Sequence, residues 1–181
     1  MLKGNKVELH PAKRSDIAYF LKWFNDPEVT QYLMIYLPMT EMVEEKFLEN
    51  MKDNYQTNAF FVIEAIEHDG NKPIGTIALS NISVKDHVAT FGIAIGEKEY
   101  WSKGYGSEAA YLIIKYGFEQ LNLHRISSSA IAFNERSIRM HRTVGFKEEG
   151  REREITFKNG KYEDIVIFGM LRQEWETSNR K

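Results

Sequence analysis

The chain predicts an α/β fold of the α+β type, a mixed and mostly antiparallel sheet with helices on both faces, in the order β-α-α-β-β-β-α-β-α-β-β. Three observations carry this. Strand-like runs follow one another with only short turns between them at 60–95 and again at 149–171, and strands joined so tightly must be antiparallel. Segments 107–120 and 135–144 carry apolar residues at helical spacing. The strand–helix–strand passage near the centre permits one parallel pair.

Taken in order, Val7-Glu-Leu9 is a short strand signal stopped at Pro11. Ser15 is the expected N-cap of a first helix with Ile17, Phe20, Leu21 and Phe24 on its apolar face. Pro27 ends that helix by disfavouring helical geometry in the residue before it. Thr40 caps a second helix that turns Val43, Phe47 and Met51 inward. Strands follow at 60–66 and 74–79 around an Asp69-Gly70 turn, and at 89–95. The helix at 107–120 places Ala109, Leu112, Ile113 and Tyr116 on one face. A strand at 125–132 leads to the helix at 135–144, which ends at Gly145, where glycine accepts left-handed geometry. Asn159-Gly160 between the runs 149–157 and 162–171 is the strongest hairpin signal in the chain.

At 181 residues, 43% hydrophobic and 28% charged, the chain reads as one globular domain over 1–181 with room for a sizeable core. The formal net charge of −2 advertises neither nucleic acid nor an anionic membrane. No run of about 18 apolar residues suggests a membrane span, and the first residues lack a secretory apolar stretch, so the expected location is cytoplasmic. The absence of cysteine removes thiolate metal sites and any cysteine acyl-enzyme. The five histidines are scattered without metal-ligand spacing, and no metal is expected.

The chemistry concentrates in Gly92-Ile-Ala-Ile-Gly-Glu-Lys-Glu-Tyr-Trp101-Ser-Lys-Gly104-Tyr-Gly106-Ser107. An apolar strand enters a glycine-punctuated loop that opens directly into an amphipathic helix. Helix N-termini expose unpaired amides and the positive end of the dipole, so such a loop can cradle a phosphate or pyrophosphate. Lys103 adds a cation at the mouth and Ser107 a hydroxyl at the helix start. The spacing is neither a Walker loop nor the dinucleotide fingerprint, and Gly-x-Gly before a helix is by itself equally consistent with a tight turn.

The same stretch resembles motif A of the GNAT acetyltransferases, Gln/Arg-x-x-Gly-x-Gly/Ala, with Trp101 where Gln or Arg is usual. Its wording is most similar to the branch containing ribosomal-protein N-terminal and spermidine acetyltransferases. A second element, Asn134-Glu-Arg-Ser137-Ile-Arg-Met-His141-Arg-Thr-Val-Gly145-Phe146, resembles the family's Asn-x-x-Ala/Ser-x-x-x-Tyr-x-x-x-Gly-Phe. The resemblance implies acetyl-CoA as acetyl donor, with Lys103, Gly104, Tyr105, Gly106 and Ser107 at the pyrophosphate. It implies that the strand carrying Ile93, Ala94 and Ile95 runs beside the pantetheine, splayed from the strand at 125–132, and that Asn134 hydrogen-bonds that arm. Ser137 would lie near the sulfur, and His141 stands where the family's tyrosine protonates the leaving thiolate.

These residues give the expected function: transfer of an acetyl group to a primary amine by direct attack in a ternary complex. The acceptor is a protein N-terminus, a polyamine or another small amine, and a homodimer is left open. Asp26, Glu28, Glu149 and Asp164 are candidate bases without a choice among them. The competing reading, which the tyrosine-to-histidine replacement keeps alive, is a non-catalytic acyl-CoA-binding or sensing module. Release of CoA on presenting an amine separates the two.

Overall fold

Hydrophobic patterning resolves into a single eight-stranded sheet. The computed structural model describes residues 2–178. The strands are β1 (Leu2–Lys3), β2 (Val7–Pro11), β3 (Ala59–Ala65), β4 (Lys72–Ser83), β5 (Val88–Ile95), β6 (Arg125–Ile131), β7 (Lys147–Lys158) and β8 (Lys161–Leu171). The helices are α1 (Ile17–Phe24), α2 (Pro27–Thr30), α3 (Glu41–Asp53), α4 (Tyr105–Glu119), α5 (Glu135–Val144) and α6 (Arg172–Ser178). Strand order is β1-β2-β3-β4-β5-β6-β8-β7, antiparallel throughout except for the parallel pair β5–β6. The expected order holds, with β1, α2 and α6 added. Pro27 does close α1, but it also occupies the first turn of α2, where its missing N–H costs nothing.

Successive residues of a strand face opposite sides, so Val62 and Ile63 of β3 feed two different cores. The larger lies under α4 and α6, joining Ile77, Leu79, Ile113, Phe118, Phe168 and Trp175. The smaller holds Phe20 and Trp23 of α1 against Val62. α4 buries Ala109, Ala110, Ile113, Ile114 and Phe118, a face rotated slightly from the expected one; Leu112 and Tyr116 sit at its margin.

Two local expectations are corrected. Ser15 does not cap α1; it lies in a short 3-10 turn, and Asp16 accepts the Lys13 amide at 2.7 Å instead. α3 does start at a Thr40 cap, but its buried side is Glu44 with Leu48 packed on the small core, while Val43 is exposed and Phe47, partly exposed, reaches only the edge of Phe60. The small core offers only a narrow landing strip, so α3 cannot bury a full apolar stripe.

β7 forms one edge of the sheet. Residues 147–155 are exposed, they include six charged side chains between Glu148 and Glu154, and the pairing with β8 shifts register twice. Charge and bulging are how an open edge is kept from pairing with other strands.

Candidate active site

The site originates where two parallel strands part. β5 and β6 pair only from Val88–Thr90 against Arg125–Ser127. Beyond that point β5 stays with β4, Phe91–Ile95 lying against Leu79–Gly75, while β6 stays with β8. The expected splay is therefore present; the register shift nearest to it lies between Ser80 and Ser83 of β4. The gap is a cleft of ≈ 820 Å³ with Gly92, Ile93, Ala94 and Ile95 on one wall and Ser129, Ala130 and Ile131 on the other.

At the rim the chain enters α4 through Gly104, whose φ of +89° is the left-handed geometry that favours glycine. The first intrahelical bond runs from the Glu108 amide to the Gly104 carbonyl at 3.0 Å, and Gly104 has no side chain to cap the helix. The amides of Tyr105, Gly106 and Ser107 thus lie in the uncapped first turn, the arrangement that suits an anion. Gly104, Gly106 and Ser107 line the cleft; Lys103 and Tyr105 do not. The Lys103 side chain is exposed, and Tyr105 turns toward the core to pack edge-on against Tyr100 at 4.9 Å.

Lys6, missed by sequence reasoning, donates from Nζ to the Lys103 carbonyl at 2.9 Å and lies 5.6 Å from the Tyr105 ring centroid. It is held there by Glu108, whose carboxylate accepts the amides of Asn5, Lys6 and Val7 at 3.0, 2.7 and 2.9 Å. No local spacing signals a partnership across 97 residues.

Trp101, which departs from the motif, has a definite task. Its indole N–H donates to the Ile95 carbonyl at 2.7 Å, fixing the end of the splayed strand. The Arg136 guanidinium stands 4.0 Å from the Trp101 ring centroid and 4.8 Å from that of Tyr32. Tyr32 and Trp101 meet edge to face at 6.1 Å, and Arg136 sits in the corner they form, joining the loop, α5 and the segment after α2.

Of the three α5 residues expected on one face, the structure brings two together. Asn134 caps α5, accepting the Ser137 amide at 3.1 Å, and both residues line the cleft. His141 does not reach it. The ring is 1% exposed, stacked on Phe168 at 4.5 Å and edge-on to Phe91 and Phe146. Its Nδ1–H donates to the Ser137 carbonyl at 2.8 Å, and Nε2 lies 2.7 Å from the Ser128 hydroxyl. That hydroxyl also lies 3.0 Å from the Phe91 carbonyl oxygen, one residue beyond the last β5–β6 pair. Burial pushes the imidazole below its usual range, against the opposing pull of the Ser137 carbonyl, so it is neutral near pH 7. Spacing along a helix cannot distinguish a side chain aimed at the cleft from one turned by a few tens of degrees into the core.

The candidate carboxylates are engaged elsewhere. Asp26 pairs with Lys98 at 2.9 Å, Glu28 with Lys98 at 3.2 Å, Glu149 with Arg125, and Asp164 with Arg151 at 3.2 Å. The Lys98 contact lowers the Asp26 carboxyl and the Arg125 contact that of Glu149. The Glu154 amide, then Arg151, lowers Asp164. Among the described residues no carboxylate or histidine lines the cleft.

The family model for the acetyltransferase (GNAT) domain matches residues 6–147. The chain belongs to the GNAT acetyltransferase family. Spermidine N(1)-acetyltransferase of Escherichia coli K12 is 32% identical over 175 residues, spanning 97% of this chain and 91% of that enzyme. Solved structures share the fold, two of them as follows. The spermidine N-acetyltransferase from Vibrio cholerae in complex with CoA and spermine has a TM-score of 0.85 at 24% identity, covering 94% of this chain and 98% of that one. Ribosomal-protein-S5-alanine acetyltransferase from Vibrio fischeri has a TM-score of 0.82 at 24% identity, covering 96% and 97%.

The acetyltransferase uses acetyl-CoA, and the splayed strand with its uncapped helix fits that donor. Because Glu108 anchors the N-terminal segment to the first turn of α4, Glu108→Ala should cost about 1–3 kcal/mol in urea unfolding from three lost hydrogen bonds. It should also weaken acetyl-CoA binding, since Lys6 then loses its hold on the Lys103 carbonyl. Unchanged unfolding and affinity would show that this anchor is idle.

Proposed function

We propose that the chain works as one cytoplasmic N-acetyltransferase domain, transferring acetyl to a primary amine by direct attack in a ternary complex. The observation that carries this reading is the parting of β5 from β6 beside the uncapped N-terminus of α4. The donor supplies an activated acyl group as a thioester. The amides at 105–107, with Gly104 and Gly106 allowing close approach, hold its pyrophosphate. The cleft-facing edge of 92–95 and Asn134 align its arm, which converts a bimolecular encounter into a positioned one.

No cysteine exists to carry a covalent acyl group, which favours direct attack. The amine nitrogen bonds to the acetyl carbon as the carbon–sulfur bond breaks; the amine gives a proton to water and the sulfur takes one up. Ser137, lining the cleft, is the chain's candidate for returning that proton. His141 acts in this reading as a positioning residue, holding the first turns of α5 and the Ser128–Phe91 bridge at the point of divergence.

The test is twofold. Acetyl-CoA should raise the melting temperature with concentration, by an amount equivalent to about 2.7 kcal/mol at 100 times its Kd, and NAD or ATP should do so far less. An amine panel should then release CoA. Equal shifts with all three ligands would remove the donor assignment; binding without release on any amine would make the chain a binding module.

A further inference from the structure

The cleft and its surroundings also bear on the acceptor. The cleft lining also includes the apolar side chains of Phe24, Val29, Leu33, Met34, Ile35 and Phe60. Directly after Ile35 in the chain, Tyr36 and Leu37 are apolar and exposed, at 85% and 64%. Phe47, also exposed, packs edge-on against Phe60 at 5.1 Å and so joins the patch to the cleft wall. An apolar surface running from inside a cleft onto the exterior marks a binding surface, and it extends further than a small amine would cover.

The charged and titratable groups on the lining are Arg136 and Arg139 of α5, Tyr32 after α2, and Tyr100 before the phosphate loop. Tyr100 is pushed up to about 12 by burial and by its hydrogen bond to Glu67, so it stays protonated. Asp26 and Glu28 pair with Lys98, and Glu97 pairs with Lys22 at 2.5 Å and the Trp23 indole at 2.9 Å. Glu44 of α3 is buried with its Oε1 unpartnered, and burial holds its carboxyl above the usual range, but neither it nor Glu41, Glu45 or Glu163 lines the cleft. A second ammonium entering this cleft would be desolvated without a partner and would meet two guanidinium groups.

A cleft without a carboxylate or histidine base also favours an amine that is already neutral. At pH 7 the neutral fraction of an α-amine (pKa about 8) exceeds that of an alkyl ε-type amine (about 10.4) by roughly several hundred-fold.

Resting on the acetyltransferase reading above, we infer that the preferred acceptor is the α-amine of a polypeptide whose leading residues are apolar, rather than a polyamine. The apolar side chains would lie along Leu33–Leu37 and Phe47 while the amine enters between the splayed strands.

The experiment compares, at pH 7 with saturating acetyl-CoA, four acceptors: a free-amine hexapeptide beginning Phe-Leu, the same peptide beginning Ser-Gly, phenethylamine and spermidine. CoA release and product mass are the readouts. The Phe-Leu peptide should exceed spermidine by about 100-fold or more in kcat/KM and the Ser-Gly peptide by about tenfold, with the first gap narrowing as pH rises toward 10. Leu37→Glu should lower turnover of the Phe-Leu peptide and leave the acetyl-CoA melting shift unchanged. Spermidine at or above the Phe-Leu peptide would overturn the inference, and so would phenethylamine matching that peptide. A missing acetyl-CoA shift would instead overturn the donor assignment, which keeps the two failures apart.

Discussion

Gly96→Ala should destabilise the fold severely for a change of one methyl. A Cβ at this position would lie 2.5 Å from Trp23 Cδ1 and nearer still to Cγ and Cδ2. The ring cannot yield. It is 1% exposed, packed with Tyr19 and Phe20, and its indole N–H is bonded to Glu97. Nor can the backbone, because the Gly96 and Glu97 amides both donate to the Ile74 carbonyl, at 2.8 and 3.1 Å. Overpacking of a tight core costs about 1–3 kcal/mol, and here ring and backbone are both fixed, so at least about 3 kcal/mol is expected. For a chain of this size that is a fall in melting temperature of about 6–12 °C. Acetyl-CoA affinity should fall with it, since Gly96 follows directly on the strand that walls the cleft. Gly92→Ala is the control: nothing lies within 4 Å of its Cβ, and it should melt like the wild type. A Gly96→Ala protein melting within about 2 °C of wild type would contradict the packing of α1 against the end of β5.

The second large effect concerns His141. His141→Ala opens a hole among Phe91, Phe146 and Phe168 and should cost about 3–5 kcal/mol, in the range of other large-to-small core changes. His141→Phe preserves bulk but abandons both ring hydrogen bonds, for a loss of about 1–3 kcal/mol. The pH dependence separates structure from catalysis. Because burial lowers the folded-state pKa, the unfolded chain binds the proton more readily. Wild-type stability should therefore fall as pH drops below about 6.5, toward the lowered folded value, and His141→Phe should lack that component. Urea unfolding at pH 7 and pH 5 on both proteins measures it. Assayed well below its melting temperature, His141→Phe should retain kcat within a few-fold. A loss of about 10²–10⁴-fold with unchanged stability would instead make His141 a general acid.

How much of this was legible beforehand differs by element. The succession of elements along the chain, the Gly104–Gly106 turn into α4 and the Asn159-Gly160 hairpin all follow from periods and turn chemistry that act within a few residues. The family was legible too, because its two motifs depend on backbone geometry that local sequence dictates. The α3 face was misjudged because the core beneath it is too narrow to cover Val43 and Phe47. Lys6 and Glu108 were invisible because their partners lie about 100 residues away.

The sequence by itself determined most of the strands and helices, where the glycine loop meets a helix, and that the chain supplies no cysteine thiol. Only the tertiary structure decided that β5 and β6 part after three residue pairs, that Trp101 replaces a motif side chain by bonding the Ile95 carbonyl, and that His141 turns inward. Those outcomes depend on packing between elements distant in sequence. A rotation of one helix by a fraction of a turn carries a side chain from cleft to core, and no local pattern records it.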